Sequence, residues 1–491
     1  MSEQERRTRR ERLSKLRADG VDPYPARVGP REPIAAVRAA HDSKDAAALE
    51  AERPRAAVAG RLLALRSFGK LAFLVLREDG SELQVSVQPA ELEARQRELF
   101  EALDVGDFVR AEGRVWRTRK GELTVAAERL DLLAKSVRPL PEKWHGLQDV
   151  ERRFRQRYLD LLVNEDARRA ALLRSRTISA LRAFLDGRGF LEVETPVLQP
   201  LYGGAAARPF VTHHNAYDQE LFLRISDELY LKRLVIGGLD RVYEIGHNFR
   251  NEGVSRKHNP EFTMMECYQA YADFRDMMDL VQDMFQFVVG HATGGTRVAF
   301  QGQEIEFGGA WPRLSMREAI LERTGLDVFD SDHERDLGRL LLERGVQRPP
   351  TWGVLVDTVF SEVVEPTLVQ PTFITHHPVE TSPLAKRAPE NPRLVERFEV
   401  FVAGMELGNA FSELNDPEDQ RARFEAARLE AAAGDEEAHP MDEDFLLALE
   451  HGMPPTGGLG VGVDRLVMVL ADAPSLREVL LFPHMKPEQD G

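Results

Sequence analysis

The pattern of apolar and polar positions divides the chain into two parts with different elements. In the first part, a basic helical stretch, Arg6 to Leu16, precedes five short runs of β type that begin at about Ala56 and are separated by glycine-containing turns. A helical stretch, Glu91 to Leu103, lies between the third and fourth runs. Five short strands with one inserted helix predict a small OB-type β-barrel, and a small β-sandwich of the same strand count is the alternative.

The second part mixes helices with strands. Asn164 precedes a helical pattern whose first turn is acidic, so we expect this residue to cap the helix and Gly187 to end it. The later strand-like stretches lack the regular spacing of β–α–β units. They lie at residues 241–250, 262–268, 397–402, 405–413 and 457–465. We therefore predict an antiparallel sheet flanked by helices, and an α+β fold for the whole chain.

Charge supports the same division. The 491 residues carry 65 Lys+Arg and 81 Asp+Glu, a formal charge of −16, which by itself disfavours a nucleic-acid partner. Residues 1–145 hold 28 basic and 24 acidic side chains (28 − 24 = +4), and the remainder holds 37 and 57 (37 − 57 = −20). Pro139 and Pro141 mark a linker at this change. We predict one domain at residues 1–145, whose charge is compatible with an RNA partner, and a second at 146–491.

The cysteine content and the hydropathy of the chain indicate the cellular compartment in which the protein is expected. Cys267 is the single cysteine, so the chain has no intramolecular disulfide and no cysteine-based zinc finger or ribbon. The charged N-terminal sequence does not resemble a secretory signal, and no stretch reaches the ~18 apolar residues that a membrane-spanning helix requires. We expect a cytoplasmic protein with no membrane partner.

The first candidate site is a hairpin with a long polar loop. FRNEG, which begins at Phe249, is followed by HNPEFTMME, which begins at His258. The period of two along a strand places Arg250, Phe262 and Glu266 on the same face of the hairpin. An arginine there can bind a phosphate through two hydrogen bonds, and a phenylalanine can stack on a base. A structural Arg–Glu pair is the alternative.

A second candidate site contains two glutamates. If Ala403 and Gly404 form a tight turn in RFEVFVAGMELGNAFSEL, Glu399 and Glu406 lie on the same face of two paired strands. Two neighbouring carboxylates repel each other unless a cation lies between them, and oxygen ligands beside a phosphate site are suited to Mg²⁺. An exposed pair that is merely tolerated is the alternative.

The third candidate is the glycine-rich segment GGLGVGVDRL, Gly457 to Leu466. It resembles a dinucleotide-binding fingerprint only weakly, because no β–α–β unit leads into it. Such glycines also permit close packing against a ligand, with Arg465 directed at phosphate, and close packing within the core is the alternative. The sequence contains no GxxxxGK[ST] phosphate loop, no HExxH zinc helix and no GxSxG elbow.

Together these segments resemble the class II aminoacyl-tRNA synthetases. FRNEG and HNPEF resemble motif 2 of that class, GLGVGVDRL resembles motif 3, and the helix before FLEVETPVL, with Pro196, resembles motif 1. GGAAARPF, ELYLKR, AYAD and FSELND resemble the bacterial lysyl-tRNA synthetases in particular. The resemblance runs from about residue 56 to the C-terminus and contains the three motifs in the family's order.

The resemblance implies an anticodon-binding OB domain, a class II catalytic domain and a homodimer formed through motif 1. It implies that ATP and L-lysine give lysyl-adenylate, that the lysyl group passes to the 3′ end of tRNA(Lys), and that Mg²⁺ is the cofactor. DNA is not an expected partner. Because the carboxylate of lysine is already ionised at neutral pH, positioning and charge stabilisation are expected to supply most of the rate.

The resemblance also assigns residues. Arg250 and Arg465 are the expected catalytic residues, at the α-phosphate and the distal phosphates, and Phe262 is the expected adenine-stacking ring. Several carboxylates without an additional cation suit a substrate with two amino groups. The other implied residues are Glu252 and His258 at ATP, Glu399 and Glu406 at Mg²⁺, Gly204, Glu228, Glu266, Tyr268, Asn409 and Glu413 at lysine, and Phe73, Gln84 and Glu122 at the central anticodon uridine.

Three other functions are alternatives. A lysyl-transferring paralogue that modifies elongation factor P resembles the catalytic domain alone, whereas this chain has an N-terminal domain. An RNA-binding or regulatory protein with an inactive catalytic domain usually lacks the motif arginines or the metal carboxylates, and here all four are present. A nicotinamide-dependent oxidoreductase is supported only by the glycine run.

Overall fold

A computed structural model describes residues 3–141, 147–432 and 440–488. Contacts divide the chain into two compact units, Met1–Gly146 and Leu147–Gly491. The predicted boundary at residue 145 lies outside the described residues. Each unit has a hydrophobic core of its own.

The first unit contains a closed barrel. Within residues 3–141 its strands are β1 (Arg55–Phe68), β2 (Leu71–Glu78), β3 (Ser81–Val87), β4 (Phe108–Arg117) and β5 (Leu123–Ala134). The helices of the same range are α1 (Glu3–Ala18), α2 (Ile34–His41), α3 (Ala46–Glu52) and α4 (Ala94–Glu101). The strand order is β1-β2-β3-β5-β4, with β3 and β5 parallel. The predicted OB-type barrel is confirmed, and closure of the sheet excludes the sandwich.

Burial with a period of two explains why these strands close around a core. On β2, Ala72, Leu74 and Leu76 are at most 1% exposed, whereas Phe73 between them is partly exposed. Helix α4 separates β3 from β4, as the sequence predicts, and is shorter than the predicted stretch Glu91–Leu103.

The second unit has more elements, and its helices and strands alternate irregularly. Its described helices are α5 (Val150–Arg155), α6 (Arg157–Val163), α7 (Glu165–Gly187), α8 (Glu228–Ile236), α9 (Phe274–Thr293), α10 (Met316–Thr324), α11 (Ser331–Glu343), α12 (Trp352–Val359), α13 (Pro417–Ala432), α14 (Glu443–Glu450), α15 (Val463–Leu470) and α16 (Leu476–Val479). Its described strands are β6 (Leu191–Glu192), β7 (Leu198–Gln199), β8 (Val211–His214), β9 (Gln219–Leu223), β10 (Arg241–Phe249), β11 (Glu261–Ala270), β12 (Arg297–Phe300), β13 (Gln303–Glu306), β14 (Arg313–Ser315), β15 (Thr372–Thr375), β16 (Arg387–Ala388), β17 (Asn391–Val395), β18 (Arg397–Val402), β19 (Met405–Ser412) and β20 (Thr456–Gly462). A π-helical turn, Phe360–Val364, extends α12, and short 3-10 turns span Glu365–Thr367 and Val379–Thr381.

An eight-stranded sheet organises this unit, in the order β14-β15-β18-β19-β20-β11-β10-β6. The six central strands pair with one another antiparallel, as predicted, and the two edge strands pair parallel, β14 with β15 and β6 with β10. The α+β prediction is confirmed, with a mixed sheet because of these edge pairs.

One face of the sheet is covered by α7 and α9. Residues of odd number on β11, Met265 and Cys267, are fully buried and belong to the same core as Leu181 of α7 and Phe285 of α9. Alternate residues of β11 therefore point to the opposite face. Among the described helices, none combines the length and the apolarity needed to cross a bilayer.

The predicted ends of α7 are confirmed in position, since the helix begins after Asn164 and its last residue is Gly187, but the prediction that the Asn164 side chain caps the helix is wrong. Asn164 occupies the N-cap position, but its side-chain amide donates to Asp160 and to the carbonyl of Leu147 instead of accepting from the helix. Gly187 is the last helical residue, and Gly189, with a φ of +77°, is the glycine in the left-handed conformation. The strand-like run after it pairs only at Leu191–Glu192.

Candidate active site

A cavity of about 400 Å³ opens on the sheet face opposite α7 and α9. It is lined by every residue that the sequence assigns to catalysis, ATP, lysine or metal in this unit. These residues are Gly204, Glu228, Arg250, Glu252, His258, Phe262, Glu266, Tyr268, Glu399, Glu406, Asn409, Glu413 and Arg465. Residues from five separated segments of the chain thus converge on one space, as the hypothesis of a single site requires.

The β10–β11 hairpin supplies the floor of the cavity. Its register pairs Asn248 with Phe262 and Gly246 with Met264. Phe262, Met264, Glu266 and Tyr268 alternate with the core residues of β11, so all four line the cavity. The predicted hairpin face is therefore present.

Arg250 follows β10 and lies over the ring of Phe262, with 5.1 Å from its guanidinium carbon to the ring centroid. Its Nε donates a long hydrogen bond to the carbonyl of Ile225 at 3.5 Å. Burial lowers the pKa of Arg250, against the attraction of Glu252 and Glu406. An arginine stays protonated despite such a shift, so most of its donors are available to an anionic ligand.

Arg465 lies in the first turn of α15 and connects β19 with the loop that precedes β11. Its Nη1 donates to the carbonyl of Glu406 at 2.9 Å and to Glu406 Oε2 at 3.2 Å, and its Nη2 is 3.3 Å from His258 Nε2. Burial and then the charge of Arg465 lower the pKa of His258. A neutral His258 therefore accepts from Arg465, while its Nδ1 lies 2.9 Å from Ser255 Oγ.

Glu399 and Glu406 lie on the paired strands β18 and β19. Ala403 and Gly404 form the predicted two-residue turn, both with positive φ, and Phe401 pairs with Glu406. One residue of β19 is bulged opposite the step from Val400 to Phe401. Both carboxylates line the cavity, so the prediction that they share a face is confirmed.

The two carboxylates are each held by an arginine. Glu399 Oε1 accepts from Arg397 at 2.6 Å, and Glu406 pairs with Arg465 at 3.2 Å. No group of three or more His, Cys, Asp or Glu in the described residues could hold a metal ion by itself. Two carboxylates suit Mg²⁺, which completes its octahedral shell with waters and substrate phosphates. We call Arg250, Arg465, Glu399 and Glu406 the phosphate side.

Glu228, Glu266 and Glu413 form a second cluster, which we call the carboxylate pocket. Glu266 Oε1 accepts from Ser226 Oγ at 3.0 Å, and Tyr268 OH lies 3.3 Å from Glu266 Oε2. Burial raises the pKa of all three carboxyl groups. A buried cluster of this kind favours a ligand that brings positive charge.

Two glycines make room for this pocket. A Cβ on Gly458 would lie 1.9 Å from Glu413 Oε1 and 2.5 Å from the ring of Tyr268. A Cβ on Gly204, whose φ is +88°, would lie 2.7 Å from Ser226 Oγ. Larger residues at either position would displace the carboxylate pocket or its supports.

The prediction that this pocket has no cation of its own is wrong. Lys232 is fully buried, and its Nζ contacts both Glu228 and Glu413. Sequence reasoning missed it, although Lys232 follows Glu228 by four residues, a spacing that places both on one face of a helix.

Arg397 is a second residue that sequence reasoning missed. Its guanidinium donates to Glu399, to Asn409 Oδ1 at 3.0 Å, to Ser382 Oγ at 2.8 Å and to the carbonyl of Thr381 at 3.1 Å. It thereby connects a phosphate-side carboxylate with the asparagine assigned to lysine. The only sequence signal was that Arg397 shares a strand face with Glu399.

Of the three residues assigned to the anticodon, Phe73 and Gln84 lie on the neighbouring strands β2 and β3, and Glu122 immediately precedes β5. Phe73 pairs with Ser86 and Val75 with Gln84, so Phe73 and Gln84 are diagonal neighbours on the outer face of β2 and β3. Gln84 Nε2 donates to Thr124 Oγ1 at 2.9 Å, and Glu122 precedes Thr124 by two residues. Phe73 is partly exposed and Glu122 is exposed.

Comparison with known proteins agrees with both units. Residues 149–486 match the family model of class II tRNA synthetases (D, K and N), and this is more than half of the chain, so the protein belongs to that family. Residues 56–133 match the OB-fold nucleic acid binding domain. The family resemblance recognised in the sequence is thereby confirmed.

Full-length relatives of the chain include several lysine–tRNA ligases. The chain is 53% identical to a lysine–tRNA ligase of Moorella thermoacetica, over 98% of each chain. It is 52% identical to a lysine–tRNA ligase of Dehalococcoides mccartyi and 53% identical to one of Chloroflexus aurantiacus, in both cases over 98% of this chain and 97% of the relative.

Proposed function

We propose that this protein is a lysine–tRNA ligase. It activates L-lysine with ATP to lysyl-adenylate and pyrophosphate, and transfers the lysyl group to the 3′ end of tRNA(Lys). The observation that carries the proposal is a single cavity that combines Arg250 above the Phe262 ring with the buried carboxylate pocket. Arg250 and the Phe262 ring suit a nucleotide, and the carboxylate pocket suits an amino acid with two ammonium groups.

The activation step requires positioning and charge stabilisation. The carboxylate of lysine attacks the α-phosphate of ATP, and because it is already ionised no general base takes part. Arg250 binds the reacting carboxylate and the α-phosphate together, so its positive charge offsets the repulsion between these two anions as they approach. Phe262 stacks on adenine and holds the α-phosphate in line with the attacking oxygen.

Arg465, His258 and Glu252 bind the rest of the nucleotide. Arg465 binds the distal phosphates, and its contact with Glu406 fixes the orientation of the guanidinium. A neutral His258 hydrogen-bonds in this region without adding charge. Pyrophosphate then leaves from the side of the cavity that carries Arg465.

Mg²⁺ is the proposed cofactor, held by Glu399 and Glu406. When bound there, the ion would supply positive charge to the phosphates of ATP. The arginine contacts of the two glutamates support this assignment, because they hold carboxylate oxygens in the cavity wall before any metal binds.

The carboxylate pocket gives specificity for lysine. Gly204, Glu228, Glu266, Tyr268, Asn409 and Glu413 surround the substrate in this proposal. An enzyme for aspartate requires a cation that faces the substrate side chain, whereas Lys232 is already paired with two glutamates and does not line the cavity. A substrate ammonium is therefore the better fit.

The first domain, proposed at residues 1–145, reads the anticodon, and residues 146–491 form the catalytic domain. Phe73 stacks on the central uridine while Gln84 and Glu122 hydrogen-bond to its edges. Phe73 and Gln84 on adjoining strands, with Glu122 just before the strand that pairs with that of Gln84, support this role.

A homodimer is proposed through the segment that resembles motif 1. Several large apolar side chains near it are exposed in the single chain: Leu191, Val197, Leu198 and Val211 are 41–59% exposed. Apolar side chains grouped in this way favour burial against a second copy. The cytoplasmic location, and the expectation of no membrane or DNA partner, stay predictions.

The test is an assay of both half-reactions with the purified full-length protein. We expect lysine-dependent exchange of pyrophosphate into ATP, and transfer of labelled lysine to a tRNA(Lys) transcript. Exchange without transfer would contradict the tRNA half of the proposal, and absence of lysine-dependent exchange would contradict all of it.

A further inference from the structure

Lys232 contacts the carboxylate pocket without lining the cavity. It lies on α8 one turn after Glu228, and its side chain is fully buried. Its Nζ donates to Glu228 Oε1 at 2.5 Å, forms an ion pair with Glu413 and lies 5.4 Å from the ring centroid of Phe411. Glu228, Glu413 and Phe411 all line the cavity, so Lys232 supports its wall from the protein side.

The two carboxylates that Lys232 joins come from different elements. Glu228 begins α8, whereas Glu413 follows β19 and is fixed by its backbone N–H, which donates to the carbonyl of Thr456 at 2.8 Å. The Glu413 carboxylate occupies space that exists because residue 458 is a glycine. The ammonium of Lys232 is thus the link that sets the separation of Glu228 from Glu413.

The charge of Lys232 also affects the ionisation of Glu228 and Glu413. Burial raises the pKa of Glu228 and of Glu413, and Lys232 opposes that rise at both. Burial lowers the pKa of Lys232, but the two glutamates outweigh burial and the net shift is upward. Lys232 therefore stays protonated and favours the ionised carboxylates. The other titratable or charged groups that face this cluster are Asp227, Arg250, Glu266, Tyr268 and Arg397.

We propose that Lys232 is a specificity-determining positioning residue, whose ammonium fixes Glu228 and Glu413 as an ionised pair that binds the side-chain ammonium of the substrate. The inference rests on the proposed lysine activation. Lys232 and the two ammonium groups of lysine then supply positive charge to Glu228, Glu266 and Glu413. A substrate with a neutral side chain supplies one fewer positive charge to these buried carboxylates, which is unfavourable.

The experiment compares Lys232→Met with Lys386→Met in the full-length protein. Methionine matches the size of lysine without its charge, and Lys386 is an exposed lysine of the same unit whose Nζ donates to Asn415. KM values for lysine and for ATP are measured by pyrophosphate exchange between about pH 6.5 and 8.5, with a thermal melt as a folding control.

For Lys232→Met we expect the lysine KM to rise about tenfold or more near neutral pH, with the ATP KM changed less than about twofold. Without Lys232 the carboxyl pKa values rise further, so more of the pocket is protonated at neutral pH and lysine binds less well. The loss must therefore shrink as the pH increases. Lys386→Met is expected to match the wild type. A folded Lys232→Met protein with the wild-type lysine KM and pH profile would overturn the proposal.

Lys232→Arg keeps the inference testable if the methionine variant does not fold. Arginine retains the charge but places its donors differently. We expect the wild-type pH profile together with a lysine KM raised about three- to tenfold, since the two carboxylates are displaced. An unchanged lysine KM in this variant would contradict the positioning role.

The same assay separates this inference from the proposed function. If the wild-type protein shows no lysine-dependent exchange, the proposed function fails. If the wild type is active and the folded Lys232 variants match it, only the role of Lys232 fails.

Discussion

The carboxylate pocket and the phosphate side belong to one cavity but hold their charges differently. In the pocket, Lys232 and Glu413 are fully buried and pair with each other. On the phosphate side, the side chains of Glu406 and Arg465 are 37% and 22% exposed. Removing one member of a buried ion pair costs about 3–5 kcal/mol, whereas an exposed pair contributes about 0–1 kcal/mol. The Lys232–Glu413 pair is therefore coupled to the stability of the fold more strongly than the Arg465–Glu406 pair.

The largest expected effect is on the phosphate side, from Arg250→Ala. Loss of one charged donor from a preorganised site lowers kcat by about 10²–10³-fold, because the repulsion between the reacting carboxylate and the α-phosphate is no longer offset. The measurement is pyrophosphate exchange together with a thermal melt. Arg335→Ala, an exposed arginine on α11, is the matched control. Wild-type exchange in Arg250→Ala would remove this residue from the mechanism.

Gly458→Ala should have the largest effect within the carboxylate pocket. The new Cβ would overlap Glu413 Oε1 and the Tyr268 ring, so the pocket must move, and overpacking of this kind costs about 1–3 kcal/mol of folding free energy. We expect the lysine KM to rise about tenfold or more while the ATP KM is retained, together with a lower melting temperature.

Gly290→Ala is the control for that variant, because a Cβ at this position of α9 meets no atom within 4 Å. It should leave kinetics unchanged and stability unchanged or slightly higher. If Gly458→Ala behaves as Gly290→Ala does, close packing around Glu413 does not govern lysine binding.

Glu406→Gln should weaken the binding of Mg²⁺ without weakening the binding of lysine. The amide preserves the shape and the contact with Arg465 but removes the negative charge. We expect the Mg²⁺ concentration for half-maximal exchange to rise about tenfold, with the lysine KM and the melting temperature close to wild type. Titration of Mg²⁺ in the exchange assay measures this, with Glu450→Gln as the control on an exposed helix. An unaltered Mg²⁺ requirement would argue against Glu406 as a ligand.

Phe73→Ala should affect neither half of the cavity. Loss of one base-stacking ring costs about 1–3 kcal/mol, so the KM for tRNA should increase about tenfold while pyrophosphate exchange is retained. Phe108→Ala, at another partly exposed phenylalanine of the barrel, is the control. Equal loss of exchange and of transfer would contradict the division of labour between the two domains.

The fold was largely predictable because its strands carry strong local signals. The alternation on β2 and the glycine turns predict the barrel, and the two-residue turn at Ala403–Gly404 fixes the register that brings Glu399 and Glu406 to one face. The ends of α7 were not predictable in detail. Asn164 has two acceptors nearby, the side chain of Asp160 one turn earlier and the carbonyl of Leu147, so its amide donates instead of capping the helix.

The ligand-facing residues of the site were predictable from family motifs, and their buried partners were not. Lys232 and Arg397 make contacts that cross between elements far apart in sequence, to Glu413 and to Ser382 among others. No periodicity along a helix or strand specifies such contacts. From the sequence we therefore counted the carboxylates of the pocket but not Lys232, the cation that pairs with Glu228 and Glu413.

The most direct test of the account is pyrophosphate exchange by the wild-type protein with lysine, aspartate and asparagine in parallel, the three amino acids of the matched family. The carboxylate pocket predicts exchange with lysine and none above background with the other two, because neither has a side-chain ammonium. Exchange that depends on aspartate or asparagine, but not on lysine, would contradict the account.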